Sequence, residues 1–172
     1  MLFGLIFTLA SSSPAQNTTI TEYQLKAAFI YNFVKFVDWP PTTFTNASEP
    51  YVIGVLGDNV FGDELEQAIA NKTINGRALV CQKFRSAREA VGCQVLFISS
   101  SEKLHFKRIL ADLRGQSILT ISEADGFIDD GGIINFVPMP DRTVRFQINQ
   151  QAAKDVRLQI SSDLLNLALT DH

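Results

Sequence analysis

The sequence has few of the residues that most often ligate metals or act as nucleophiles and bases. Its 172 residues include two histidines, His105 and His172, and two cysteines, Cys81 and Cys93. Neither histidine has a metal-ligating residue three or four positions further on, so no metal site is predicted. The GxSxG motif of serine hydrolases and the GxxxxGK[ST] phosphate loop are both missing. These absences predict a protein that is not an enzyme and has no cofactor.

Long runs of charge of one sign are also missing, and the formal net charge is only -3. Nucleic-acid-binding proteins usually carry a clustered basic face, so no nucleic-acid partner is predicted. Hydrophobic residues make up 46% of the chain and charged residues 19%. This composition can bury a sizeable core, and the length fits one domain with a leader.

The first residues differ from the rest of the chain. Residues 1–10 read MLFGLIFTLA and are followed by SSSPAQ. A short apolar run that ends in small residues is typical of a signal peptide, and this run is too short to cross a membrane. We therefore predict a signal peptide over residues 1–15 and a mature α/β domain over 16–172. The first lysine is Lys26, so the usual basic start is missing; an apolar N-terminus of a cytosolic protein is the alternative.

An aromatic, amphipathic helix is predicted from Glu22 to Trp39. This stretch contains no glycine or proline, and Pro40 and Pro41 end it. Thr19 and Glu22 have the spacing of a capping box. The apolar face is either part of the core or a surface for a protein partner, because aromatic residues dominate interfaces. The candidate partner-binding residues are Phe33, Phe36 and Trp39.

Lys26 interrupts the apolar face of this helix. One interpretation is a lysine whose stem packs against the core while its ammonium group reaches water. The other is a buried cation held by a carboxylate or by an anionic ligand.

The remaining chain alternates strands with helices. Strands are predicted over residues 51–56, 78–84, 94–99, 117–121, 133–137 and 144–148, and helices over 59–71, 86–91, 102–113, 149–156 and 162–169. Such alternation predicts a single α/β domain with a mainly parallel central sheet of about five to six strands and helices on both faces. The last two strands are expected to form an antiparallel edge hairpin.

The two cysteines flank a short predicted helix. Cys81 lies late in one strand and Cys93 just before the next, so the chain could return within the ~4.4 to 6.8 Å between Cα atoms that a disulfide needs. An exported protein can keep such a bond. We predict a Cys81–Cys93 disulfide, with two free thiols as the alternative.

Two groups of polar residues are candidates for binding. Gly57 and Asp58 follow the first long strand, where open α/β sheets often bind ligands, although a capped turn has the same pattern. Together with Lys26, Arg145 and Asn149 they could bind a nucleotide or an amino-acid-like anion. A second group is a solvated acidic loop or a site for acid–base chemistry or calcium, without the spacing of an EF-hand. It comprises Glu123, Asp125, Asp129 and Asp130.

Seven segments, in order, resemble the YfiR-like family of periplasmic proteins, and the resemblance covers about residues 20 to 170. They are Glu22–Phe29 with Tyr31–Phe33, Lys35–Phe36 and Trp39–Pro40; Ile53–Asp58; Cys93 with Leu96–Ser99; Gly131–Phe136; Val144–Asn149; Ile160–Ser162; and Leu164–Leu165 with Leu167–Ala168.

The resemblance implies a soluble periplasmic repressor. Such a protein binds the periplasmic sensor domain of an inner-membrane diguanylate cyclase, YfiN, and so lowers cyclic di-GMP and biofilm formation. An outer-membrane lipoprotein that sequesters the repressor and a second copy in a homodimer are further implied partners. The best-understood relative in this family has two disulfides, whereas this chain has cysteines for only one.

Overall fold

A seven-stranded, mostly parallel sheet forms the centre of the protein. The computed structural model describes residues 20–141 and 143–169, and the predicted signal peptide lies outside them. The strands are β1 (Val37–Asp38), β2 (Tyr51–Leu56), β3 (Thr73–Ile74), β4 (Arg77–Phe84), β5 (Val95–Ile98), β6 (Leu119–Ser122), β7 (Ile134–Pro138), β8 (Val144–Ile148) and β9 (Gln159–Ile160). The large sheet has the order β3-β4-β2-β5-β6-β7-β8, and β1 pairs with β9 separately.

Pairing directions agree with the predicted α/β class. Strands β4, β2, β5, β6 and β7 run parallel, whereas β8 returns antiparallel to β7 and forms the predicted edge hairpin. The short strand β3 adds a second antiparallel edge. The sheet therefore has one or two strands more than predicted, because two-residue strands carry too little sequence signal.

Within the described residues, five α-helices pack around the sheet. They are α1 (Glu22–Lys35), α2 (Glu64–Ile69), α3 (Phe106–Asp112), α4 (Gln150–Asp155) and α5 (Ser162–Leu165), with 3₁₀ turns at Pro41–Thr43 and Ser100–His105. Most are shorter than predicted, and residues 86–91 form turns instead of a helix. None of the helices in the described ranges is long and apolar enough to cross a membrane.

Helix α1 starts at Glu22 as predicted, but its capping box is Thr21 and Gln24, two residues later than predicted. The Gln24 N–H donates to Thr21 Oγ1 (3.2 Å), and the Thr21 N–H donates to Gln24 Oε1 (2.9 Å). The helix ends at Lys35 rather than Trp39, because the next residues pair as β1 with β9.

Each face of the sheet has its own hydrophobic cluster, which confirms helices on both faces. Helices α1 and α2 pack on one face, where Phe33 and Phe97 are fully buried. Helix α3 packs on the other face, where Phe106 and Phe127 are fully buried. The face under α1 and α2 is called the α1 face below, and the other the α3 face.

The structure differs from the predicted Cys81–Cys93 disulfide, because both thiols are free. Strand β2 lies between β4, which carries Cys81, and β5, which Cys93 precedes. Two strand spacings separate β4 from β5, roughly 10 Å, which is beyond disulfide reach. Cys81 also packs on the α1 face and Cys93 on the α3 face. The prediction assumed that strands consecutive in sequence are neighbours in the sheet.

Candidate functional site

A buried charged cluster lies where α1 crosses the carboxyl edge of the parallel sheet. Lys26 is only 5% exposed, and its Nζ donates to Glu123 Oε2 at 2.6 Å. The same ammonium group pairs with Glu22 one helical turn earlier. Glu123 follows β6 directly, and its other oxygen accepts a hydrogen bond from the Tyr23 hydroxyl (3.2 Å). The second interpretation of Lys26, a buried cation held by a carboxylate, is therefore confirmed.

Titration of this cluster follows from burial and pairing. Burial alone would lower the pKa of Lys26, but its hydrogen bonds to Glu123 and Glu22 outweigh that and raise the pKa above the usual lysine range. Burial, followed by the nearby Glu123 charge, raises the pKa of Tyr23. Lys26 is therefore charged at neutral pH, and its ammonium group is already paired with two carboxylates, those of Glu22 and Glu123.

The predicted ligand position at Gly57 and Asp58 lies at a topological switch point. The chain leaves β2 towards α2 on the α1 face and leaves β5 towards α3 on the α3 face, so the crevice between β2 and β5 is the place where such sheets bind ligands. Here the crevice is filled. A Cβ at Gly57 would lie 2.7 Å from Ser101 Oγ, and the Asp58 N–H donates to that oxygen at 3.0 Å.

Arg145 and Asn149 do not join Lys26, Gly57 and Asp58. Arg145 is exposed on β8, and its neighbour Phe146 points to the α1 face, so Arg145 points to the α3 face. Asn149 follows β8 and lies beside Ile133, before β7, at the amino edge of the sheet. The predicted ligand residues are thus divided between both edges and both faces.

Asn149 instead lines a groove with a volume of about 660 Å³. The groove lies between α3, α4 and the start of β6 and β7. Its apolar lining includes Leu110, Ile118, Ile133 and Val156. Its charged residues are Lys107, Arg114, Asp129, Asp130 and Asp155. This size falls within the ~300 to 1,000 Å³ of small-molecule sites.

Charges of opposite sign face each other across this groove. Lys107 and Arg114 belong to the α3 side, whereas Asp155 belongs to α4. Lys107 Nζ is 3.6 Å from Asp130 Oδ1, which links the α3 side to the loop before β7. The groove therefore offers both signs of charge next to an apolar floor.

Members of the predicted acidic loop have different surroundings. Glu123 is nearly buried on Lys26, whereas Asp125 is exposed and Asp129 and Asp130 line the groove. Among the residues that the structure describes, no three His, Cys, Asp or Glu side chains could hold a metal ion together.

The predicted partner-binding residues differ in accessibility. Phe33 is fully buried and packs on Phe136 and Phe146 with centroid distances of 5.8 and 5.0 Å, so it cannot contact a partner in this fold. Phe36 and Trp39 follow the end of α1 and are half-buried. Phe33 was assigned to the wrong role because a helical wheel shows an apolar face without showing what covers it.

Sequence reasoning missed the role of Glu123 and the groove on the α3 face. Glu123 stands one residue after a buried strand and 97 residues from Lys26 in the chain, so only the tertiary fold joins them. The groove has no sequence motif, since its lining comes from three separate segments of the chain, residues 107–120, 129–133 and 149–156.

The protein is a small α/β domain in which α1 carries a buried charged cluster, a groove lies between α3 and α4, and Phe36 and Trp39 are half-buried after α1. A family model described as YfiR/HmsC-like matches residues 23–169, so the chain belongs to the YfiR/HmsC-like family. This confirms the resemblance noted in the sequence. None of the curated proteins matches the chain.

Proposed function

We propose that this protein is a periplasmic regulatory binding protein that restrains a membrane-bound diguanylate cyclase and so lowers cyclic di-GMP and biofilm formation. The observation that supports this proposal best is the YfiR/HmsC-like family match, which extends over residues 23–169 and so over all but the first three described residues. A role in binding also agrees with a sequence that lacks a catalytic motif. An outer-membrane lipoprotein that sequesters the repressor belongs to the same proposal.

The end of α1 supplies the proposed contact with the periplasmic sensor domain of the cyclase. Phe36 and Trp39 are half-buried, and the ring of Trp39 packs edge-on against Tyr51 at 5.5 Å. Rings that are held in place and still partly exposed lose little conformational entropy on binding, which is a property of interface hot spots.

Deletion of the gene tests the regulatory role. We expect cellular cyclic di-GMP and biofilm to rise in the deletion strain and to return when the full-length gene is restored. Unchanged cyclic di-GMP under several growth conditions would argue against regulation of a cyclase.

A capture experiment tests the contact surface. The tagged wild-type protein, isolated from membranes, should retain a diguanylate cyclase that mass spectrometry identifies. Phe36→Ala should retain it at least about ten-fold less, the loss typical of a hot-spot truncation. Leu104→Ala is the matched control, because Leu104 is 95% exposed on a different element. Equal capture by all three proteins would exclude Phe36 from the interface.

The groove supports a second candidate function, a receptor for a small nucleotide or an amino-acid-like anion. Its supporting observation is the volume of about 660 Å³ with cationic Lys107 and Arg114 beside apolar surface. Calorimetry with nucleoside monophosphates and amino acids tests it. Leu110→Trp, which fills the groove, should abolish the heat of binding, and Leu104→Trp should not. A flat response across the whole panel would remove this candidate.

A further inference from the structure

The groove between α3 and α4 has two distinct ends, because the two helices begin and end near each other. At their starts, Lys107 Nζ is 3.6 Å from Asp130 Oδ1, and the Asn149 side chain, which caps α4, donates to the Ile128 carbonyl oxygen at 3.4 Å. At their ends, the segments that follow the two helices line one smaller pocket together. The end of the groove beside residues 128–130 is called the loop end below, and the opposite end the far end.

Several polar side chains of the lining already have partners within the protein. Lys107 is paired with Asp130, and Asp155 Oδ1 accepts a hydrogen bond from the Gln151 amide at 2.8 Å. Thr120 Oγ1, at the floor, accepts one from a backbone N–H at 3.2 Å. These groups gain little from a ligand, because they would only exchange one partner for another.

Two charged side chains of the lining remain, and they lie at opposite ends. Asp129 belongs to the loop end, and Arg114, just after α3, belongs to the far end. Neither side chain has a hydrogen-bond or ion-pair partner among the residues that the structure describes. Lys107 and Arg114 are seven residues apart in the chain. The two ends are therefore separated by about 10 Å along α3, at ~1.5 Å per helical residue.

The surface between these two charges is largely apolar. Ile118 and Ile133 are buried at the floor, and Leu110 comes from α3. Ala152 and Val156 complete this surface from the side of α4. A groove of this kind fits a ligand that carries opposite charges at its two ends and apolar groups between them.

We propose that the groove binds a short peptide of about three mainly apolar residues, with its terminal ammonium group at Asp129 and its terminal carboxylate at Arg114. The inference rests on the groove being a receptor site, the second candidate function above, and it changes the ligand from an anion to a zwitterion. An extended peptide spans ~3.3 to 3.6 Å per residue, so three residues cover the distance of about 10 Å between the two ends.

The charges favour a peptide over the other candidate ligands. The carboxylates of the lining, Asp129, Asp130 and Asp155, outnumber Lys107 and Arg114. A nucleoside monophosphate would bring ~1.5 to 2 further negative charges to this lining. A single amino acid has the right charges, but it carries both on one carbon and cannot reach both ends. A guanidinium group binds a carboxylate through two parallel hydrogen bonds, so the far end suits a peptide C-terminus.

Peptides with blocked ends test this assignment. Trileucine, N-acetyl-trileucine and trileucine amide are titrated into the mature protein by calorimetry at two temperatures, because burial of apolar surface changes the heat of binding with temperature. Trileucine should bind. Blocking either terminus should raise the dissociation constant about ten-fold, since each block removes one charged hydrogen-bonded pair.

Two variants test the two ends separately. Arg114→Gln should weaken trileucine about ten-fold and leave trileucine amide, which has no carboxylate, unchanged. Asp129→Asn should weaken trileucine similarly and leave N-acetyl-trileucine unchanged. Arg108→Gln on α3 and Asp125→Asn in the same loop are the matched controls, because both residues are exposed and lie outside the lining. Both control variants should bind trileucine as the wild type does.

The outcomes separate the peptide inference from the receptor function. Binding of leucine or adenosine monophosphate that Leu110→Trp abolishes, without binding of trileucine, would overturn the peptide inference and leave the receptor function standing. No binding of any of these probes would remove both. Equal affinities of the free and the blocked peptides, or an equal loss for trileucine and its amide in Arg114→Gln, would also overturn the inference. Circular dichroism of each variant should show an unchanged fold, since Arg114 and Asp129 are exposed.

Discussion

Lys26 is a cation on the apolar face of a helix, and its two carboxylate partners determine its effect on stability. A buried charge without a partner is costly, and removing one member of a buried pair leaves the other uncompensated. Glu123 is the critical partner because its side chain is only 10% exposed, whereas Glu22 is 54% exposed and can be solvated.

Replacement of Lys26 should therefore act through Glu123. We expect Lys26→Met to lower the free energy of unfolding by about 3 kcal/mol, since Glu123 is left buried without its cation. Lys26→Met combined with Glu123→Gln should recover a good part of that loss. Urea unfolding of the single and double variants measures both effects. Equal instability of the two would mean that Glu123 does not need the cation.

The raised pKa of Lys26 also predicts a pH dependence. A group whose folded pKa exceeds its unfolded value of 10.5 stabilises the fold fully below that pH and loses this contribution as pH rises through the folded pKa. The stability difference between wild type and Lys26→Met should thus be constant from about pH 7 to 9 and shrink above about pH 10.5. Urea unfolding at several pH values checks this, and a difference that shrinks already near pH 8 would contradict it.

The two cysteines should be free thiols that react slowly with disulfide reagents. Burial raises the pKa of Cys93 to about 12; burial and then the Glu66 charge raise that of Cys81 to about 11. At pH 8 the thiolate fraction is small, so reaction with a disulfide reagent should be about 100-fold slower in the native protein than in denaturant. The disulfide reagent should detect two thiols per chain in denaturant without added reductant. Finding none would show that the predicted disulfide exists after all.

At the scale of single elements, Gly54 in β2 lets neighbouring side chains pack directly against the strand backbone. Gly54 lies in β2 between β4 and β5, and a Cβ there would lie 2.6 Å from the Phe84 ring and 2.9 Å from Leu96. The missing side chain lets both residues pack over the strand on the α3 face.

Gly54→Ala should consequently overpack this face. We expect a loss of about 1 to 3 kcal/mol in the free energy of unfolding, because the Phe84 ring must move. The double variant Gly54→Ala with Phe84→Leu should lose less stability than the sum of the two single losses, since the smaller side chain at position 84 leaves room for the new methyl group. Thermal unfolding of the three variants measures this coupling, and simple additivity would show that Phe84 is not the obstacle.

Elements with strong local patterns were predictable from the sequence, and contacts between distant elements were not. The β7–β8 hairpin and the start of α1 followed from strand alternation and helix period. Strand order did not follow, because β2 separates β4 from β5 although they are consecutive long strands. The same limit hid the Lys26–Glu123 pair, and it made Phe33 resemble an interface residue when Phe136 and Phe146 cover it.

At the scale of the whole molecule, both ends of the described chain meet in one core. Strand β1 directly follows α1 and pairs with β9, and the Ser161 N–H donates to the Phe36 carbonyl oxygen at 2.9 Å. Leu164 on α5 is 3% exposed and belongs to the same cluster as α1. The C-terminal segment should therefore unfold together with α1 in one transition.

Two leucines three residues apart test this unity. Leu164→Ala should lower the free energy of unfolding by about 2 to 4 kcal/mol, because it leaves a cavity in the shared core. Leu167→Ala should change it by less than about 0.5 kcal/mol, since Leu167 is 60% exposed. Tryptophan fluorescence reports on Trp39, which follows α1, while circular dichroism reports on the whole fold. If the C-terminal segment belongs to the core, the two signals will shift together in Leu164→Ala. A loss of helix signal that leaves the fluorescence transition in place would instead show that α5 docks as an independent unit.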